Sequence, residues 1–434
     1  MKYTLLLISW ITTAAMGQSL PFLLGGIQVN EPNHTAWVEG LEDAGMNTVA
    51  VTAYAKQGDW NSDHLWWEAE EPSVVAEMVA AKAAGLRVVF IARVALDHAF
   101  AANAHYWHGS IMPRTPQQLE SWFAQYTSFV MKWARICDSL EVDVFGIGSE
   151  MRVLAATVPT QDIPRLEGFF LNPLLRSAYL GTRWQHRKEI EASPWWQAQN
   201  RGAFYPQVRQ EVHAQQQWAR EVTYWGERHR IARLNERRGQ QEALWRSLIA
   251  QVRTVYTGQL TYAANFDNFH RVGFWDALDM VGINAYFPLT ESEALPTTEA
   301  LAARWAQLGV EVQQVQAQLQ VPNHPVLFTE LGYIRRAGTL IAPWSGFGYS
   351  IRPKGTFGHT FHLWSAQPQR LQDRARAVSG LAQTHHQHWP QLAGILYWKL
   401  TTLPSMGAIE PFALVLGTDD PLEAALREFT PPLE

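Results

Sequence analysis

From residue 22 onward, short apolar runs alternate with longer stretches whose apolar residues recur every three or four positions. The runs suit strands buried on both faces and the stretches suit helices lying over them, so the pattern predicts successive parallel βα units. FLLGGIQV (22–29), NTVAVTAY (47–54), RVVFIARV (87–94) and VDVFGIGSE (142–150) read as the first four strands. QLTYAANFDNF (259–269) holds the fifth strand and its loop, DMVGINAYFPL (279–289) the sixth, PVLFTELGY (325–333) the seventh and AGILYWKL (393–400) the eighth. Helices are predicted over 35–45, 72–85, 115–141, 239–258, 299–320, 370–387 and 421–429. Gly45 and Gly85 terminate the first two, and Ser73 is the candidate cap of the second. Eight strands with intervening helices predict an α/β fold closed as a (β/α)8 TIM barrel rather than an open doubly wound sheet. The chain carries neither GxGxxG nor a P-loop, and neither internal repeats nor low-complexity tracts.

The rhythm breaks over 152–235, which is rich in Trp, Gln, Arg and His and has no strand-like run. It reads as a long, largely helical insertion after strand four, with solvated faces where charges crowd in QVRQEVHAQQQWAREVTYWGERHRIARLNERR. Loops that follow barrel strands lie at the catalytic face, so the insertion either walls a substrate groove or forms a helical subdomain or assembly surface. A Gly-rich, Trp-bearing loop follows strand seven over 334–368. At the N-terminus, Lys2, an apolar run over 4–16 and the small residues Ala15 and Gly17 predict a signal peptide over 1–17. That leaves one barrel domain, 18–434, in the periplasm or secreted, with no integral membrane segment after cleavage; the alternative is an uncleaved anchor.

Composition narrows the partners. A net charge of −5 gives no basic excess to draw the chain to phosphate backbones, so nucleic acid is excluded as an expected partner. Charged residues make up 17% of the chain, against 20 Trp, whose faces suit the C–H faces of sugar rings where they are not core. The one cysteine, Cys137, permits no internal disulfide and no thiolate cluster, and reads as a small buried group in a helix. HExxH and GxSxG are absent, which disfavours zinc peptidases and α/β-hydrolases. The histidines of THHQHW (384–389) fall at a helix C-terminus, where they complement the dipole. Neither metal nor cofactor is expected.

Two strands end on glutamate: Glu150 closes strand four and Glu330 follows the apolar PVLFT of strand seven. A carboxylate there is costly to desolvate unless it has partners or a task. Glycoside hydrolysis needs two carboxyl groups flanking the scissile bond, and strands four and seven face each other across a barrel.

The strings GIGSEM, VGINAYFPL, LFTELGY and ILYWKL, in this order, resemble glycoside hydrolases of clan A, and within it family 113, a family of β-mannanases. The resemblance covers about 22–150 and 239–400 but not the insertion. It implies a retaining enzyme acting on β-linked hexose poly- or oligosaccharides, β-mannan first, with Glu150 as acid/base and Glu330 as nucleophile. The nucleophile must stay ionised and therefore needs donors, whereas the acid should have its pKa raised, partly by the other carboxylate. Tyr286 resembles the clan tyrosine that hydrogen-bonds the nucleophile, or else is core packing. Asn284, two residues earlier, shares its direction. Trp398 resembles the clan's sugar platform, or else is core packing, and Arg93 resembles a basic substrate-site residue, or else makes a structural ion pair. Many clan members place Asn before the acid/base to hold the sugar 2-hydroxyl; Ser149 stands there here, which leaves mannose against glucose open.

Asp267 and Glu31, after strands five and one, and Asp97 and His98, after strand three, are further candidates for substrate contact. Asp279 lies at the opposite end of strand six and reads as structural. Two rival functions share these features: a non-catalytic carbohydrate-binding or envelope-assembly barrel, and a transglycosylase of the same mechanism.

Overall fold

A computed structural model gives the fold, described for residues 21–58, 60–67, 70–96, 107–113, 116–158, 226–292, 294–344, 349–354, 358–363 and 368–430 and for scattered residues of 172–220. Its frame is eight parallel strands: β1 (Leu23–Gln28), β2 (Thr48–Gln57), β3 (Arg87–Leu96), β4 (Val144–Ser149), β5 (Gln259–Asn265), β6 (Val281–Asn284), β7 (Val326–Leu331) and β8 (Leu392–Thr401). Each pairs with the next, and β1 pairs with both β2 and β8, so the sheet closes on itself as a (β/α)8 barrel. Around it lie α1 (His34–Asp43), α2 (Glu71–Ala83), α3 (Pro116–Ser139), α4 (Gly226–Val252), α5 (Thr298–Gln318), α6 (Leu371–His388) and α7 (Pro421–Arg427). Between β5 and β6 the chain makes only 3₁₀ turns, at Phe269–Arg271 and Trp275–Ala277.

The period of two along the strands divides the apolar residues into two sets. Leu23, Ile27, Ala50, Val89, Ile91, Val144, Ala263, Met280, Leu327 and Leu396 fill the barrel interior. Their neighbours in sequence, such as Val88, Phe90, Phe145 and Val281, join the larger core between sheet and helices. In α3, Leu119, Trp122, Tyr126, Phe129, Val130, Trp133 and Cys137 fall at helical spacing on its buried face. Each large side chain buried there contributes about 1.5–3 kcal/mol. Helix starts are fixed locally: the Asn33 side chain accepts from the amides of Thr35 and Ala36, and Thr297 Oγ1 accepts from Ala300 N. Gly45 and Gly85 follow α1 and α2 with φ of 75° and 78°, the left-handed turn that favours glycine.

The structure differs from the sequence expectations in three places. Ser73 does not cap α2; the helix starts from Glu70, with Pro72 in its first turn, where a missing amide costs nothing. α4 starts at Gly226 rather than at 239, because its first turns carry charges on every side and hide the period. The loop over 334–368 holds an antiparallel pair, Tyr349–Lys354 with Gly358–Leu363. The leader over 1–17, Asp97 and His98 lie outside the described residues. Among the described residues, no helix is long and apolar enough to cross a membrane.

Candidate active site

Three strands change register where they reach the C-terminal face of the barrel. Against β5, β4 spends three residues from Gly146 to Ser149 where its partner spends two, Thr261 to Ala263. Against β6, β7 passes from Phe328 to Glu330 while its partner moves only from Ile283 to Asn284. Against β1, β8 passes from Trp398 to Leu400 while its partner moves from Ile27 to Gln28. An extra residue in one strand bends it and re-aims the side chains that follow. These shifts fall at Ser149–Glu150, Glu330 and Trp398, the positions singled out by the sequence.

Glu330 is held tightly. Arg93 from β3 forms an ion pair with Oε1, and Tyr286 Oη donates to Oε2 at 2.6 Å. The three side chains are buried, at 3%, 4% and 7% exposure for Glu330, Arg93 and Tyr286. Arg93 is therefore a partner of the carboxylate, and Tyr286 is no mere core aromatic. Burial works against the Arg93 charge, but Glu330, Tyr54 and Glu150 more than restore it, so the guanidinium remains a cation. Burial beside Glu330 pushes the Tyr286 hydroxyl well up, which keeps it a donor.

Glu150 is held differently. It follows β4 with φ of 56°, and its amide donates to Ala263 O at 2.9 Å. The segment after it is tied down by Met151 N donating to Tyr262 Oη, by Gln241 Nε2 donating to Val153 O and by Trp245 Nε1 donating to Leu154 O. Its Oε2 lies 2.7 Å from His108 Nε2, in a 3₁₀ turn after β3. The side chains of Glu150 and His108 are 13% and 28% exposed, so this half of the site meets solvent.

The two carboxyls shift in directions opposite to the sequence expectation. Burial raises Glu150, but the His108 hydrogen bond and charge, then Arg93 and Asn284, outweigh it and leave the carboxyl below the usual range. Burial raises Glu330 most, the Glu150 charge adds to it, and Arg93 and Tyr286 oppose it without cancelling it. The raised-acid expectation omitted His108, which sequence reading did not single out.

The other predicted residues fall as follows. Asn284 Oδ1 accepts from Thr329 Oγ1 at 2.8 Å, and Asn284 is among the groups that hold Glu150 down. Ser149 Oγ is buried without a hydrogen-bond partner among the described residues. Trp398 is half-buried against the barrel interior, with Arg93 Cζ 5.1 Å and Lys399 Nζ 3.8 Å from its ring centroid. Asp267 is paired with Arg152 at 3.4 Å and contacts neither glutamate. Glu31 accepts from Thr401 Oγ1, Thr402 N and Thr402 Oγ1, which fastens β1 to β8. Asp279 accepts from Leu260 N and Arg253, a structural tie at the far end. Cys137 is buried, and His386 Nε2 contacts Glu428 O at 3.0 Å. No group of three His, Cys, Asp or Glu among the described residues is placed to hold a metal.

Sequence reading missed Tyr54 and Lys399 as well as His108. Tyr54, on β2, has its hydroxyl pushed up by burial and by its neighbours Glu330 and Glu150, against Arg93. Burial and the nearby Arg93 push Lys399 down to about 8. A polar residue on the inward register of β2 and a lysine beside Trp398 were the available signals. His108 had none, since it stands in a loop far from Glu150 in sequence.

No curated protein matches the chain. Among solved structures, the fold is similar to a family 113 β-mannanase of Alicyclobacillus acidocaldarius, with 17% identity, a TM-score of 0.57 and coverage of 94% of this chain and 97% of that one. It is also similar to a family 113 β-1,4-mannanase with 15% identity, a TM-score of 0.56 and coverage of 94% and 98%. At such identities these likenesses speak for the fold alone. The sequence itself matches Glycoside Hydrolase Family 113 over residues 28–158 and 234–354, more than half of the chain and the parts that carry β3, β4, β6 and β7. The chain therefore belongs to glycoside hydrolase family 113, of clan A, and is a glycoside hydrolase with a carbohydrate substrate.

Proposed function

We propose that the protein is a retaining glycosidase of β-linked hexose chains, with β-mannan as its first substrate. Support for mannan comes from the family and from the β-mannanase neighbours. The observation that carries the mechanism is the occupation of both Glu330 oxygens by donors, Arg93 and Tyr286. A carboxylate so held is shaped to attack as an anion, while Glu150, nearer solvent, is free to trade protons with a leaving group and then with water.

Glu330 attacks the anomeric carbon as Glu150 gives its proton to the departing oxygen. Glu150 next takes a proton from water, and the glycosyl-enzyme is hydrolysed. The two carboxyls titrate as a pair, and the working form carries one proton. In the free site the hydrogen bond and charge of His108 hold Glu150 below its usual range; a sugar laid over Glu150 excludes water and raises it. Trp398 supplies the platform for the sugar ring, and the unpartnered Ser149 Oγ meets its 2-hydroxyl.

The test is proton NMR of the first product from a β-mannan oligosaccharide. The β-anomer should appear first and then mutarotate, and Glu330→Gln should abolish turnover. An α-anomer as first product, or a fully active Glu330→Gln enzyme, would overturn the mechanism.

A further inference from the structure

Away from the two glutamates, the segments that leave β7 and β8 enclose a cavity of about 320 Å³, within the size range of ligand pockets. Arg335, Gln369, Thr418 and Asp420 line it, with Pro404 and Val415 on its apolar side. Neither Glu150 nor Glu330 is among its lining residues. The frame around it is built from buried charge. Arg374, with no exposure, donates to Phe412 O at 3.4 Å and Ala413 O at 3.2 Å and forms an ion pair with Asp420. Arg335 is fixed at both ends: Arg370 N donates to its carbonyl at 2.8 Å, and its Nη2 donates to Gly407 O and Glu410 O.

The charges of this frame leave one cation over. Asp420 is neutralised by Arg374, whereas Arg335 has no carboxylate in ion-pair range among the described residues. Its Nε and Nη1 make no hydrogen bond among them either. Burial, then the neighbouring Arg374, pull the guanidinium's pKa down, as befits a cation short of negative charge. Around it stand groups suited to hydroxyls. The Gln369 amide has no side-chain partner among the described residues, Thr418 Oγ1 gives its proton to Val415 O at 2.7 Å and keeps its lone pairs, and Asp420 accepts from Leu422 N with lone pairs to spare.

We infer that this cavity is a second, non-catalytic binding site for a small hydroxylated carboxylate, of the class of the hexuronic acids. Arg335 takes the carboxylate, Gln369, Thr418 and Asp420 take hydroxyls, and Pro404 and Val415 face the C–H groups. An inorganic anion would match the charge and leave the apolar side unfilled; a neutral sugar would fill the space and leave the guanidinium unpaired. The site is independent of the roles given to Glu150 and Glu330. It would hold an acidic unit of a glycan near the catalytic site, since Ala413 of its wall follows Phe412, whose ring packs edge-on against Tyr286 at 6.1 Å.

Isothermal titration with sodium glucuronate, glucose and inorganic phosphate is the test. Glucuronate should bind at least about tenfold more tightly than either of the others, the margin of one charge-assisted hydrogen bond. Arg335→Gln should erase that margin over glucose. Because this change also cuts the ties to Gly407 and Glu410, Thr418→Trp serves as a second variant: Thr418 is exposed where it lines the cavity, so a large ring there closes the space and leaves Arg335 in place. Glucuronate binding should vanish in it with the thermal unfolding midpoint unchanged. No binding of glucuronate, equal affinity for glucose or for phosphate, or binding that survives Thr418→Trp would each overturn the inference.

Discussion

The two halves of the site are built on opposite plans. On the β7 side, Glu330, Arg93 and Tyr286 are sealed from water, and each of the carboxylate's oxygens meets a donor that keeps its proton or charge. On the β4 side, Glu150 has His108 as its close partner at 2.7 Å, with Asn284 adding to it, and its surroundings open to solvent through His108. The contrast teaches that two glutamates of one site are distinguished less by the residue than by how many fixed donors face each. A carboxylate locked by donors is suited to one charge state, and a carboxylate more loosely held and nearer solvent is suited to changing it.

Mutations should separate the halves. The largest effect is expected from Glu150→Ala. For sugar leaving groups kcat/KM should fall between about 10²- and 10⁴-fold, while kcat/KM for an activated aryl glycoside loses far less, because a phenolate departs unaided. Equal losses on both would place Glu150 outside the acid role. Tyr286→Phe comes next. It removes a hydrogen bond to a charged group, and kcat on the oligosaccharide should drop roughly 10- to 100-fold with folding intact by circular dichroism. The smallest effect is expected from His108→Asn, with a rate change of about tenfold or less. Its signature is in pH. His108 holds Glu150 below its usual range, so its removal should raise that carboxyl, which then keeps its proton to higher pH. The alkaline limb of kcat/KM should move upward. An unmoved limb, or a loss greater than that of Tyr286→Phe, would erase the difference between the halves.

Much of this was legible in the chain. Every barrel strand falls within a few residues of its apolar run, because burial on both faces leaves an uninterrupted signature. Glu150, Glu330, Tyr286 and Trp398 were legible because strand ends face the site in any such barrel. His108 was not, since its meeting with Glu150 is made by a turn with no period of its own. The carboxyl shifts were misjudged for the same reason: the burial of both glutamates could be foreseen, but the partner that dominates one of them could not. The early turns of α4 were lost because charge on all sides leaves no stripe to count.

The register shifts in β4, β7 and β8 bear on what it means to transplant this site. Copying the residues of LFTEL into a perfectly regular strand would carry the letters without the kink between Phe328 and Glu330, and strict alternation would then aim the carboxylate at the helices. Loss of a single residue upstream of Glu330 threatens the same inversion while leaving the motif readable to any alignment. The proposed catalytic outfit is thus written partly in residue count. A designer grafting it, or an evolutionary lineage drifting from it, can preserve all the chemistry on paper and point it at the wall.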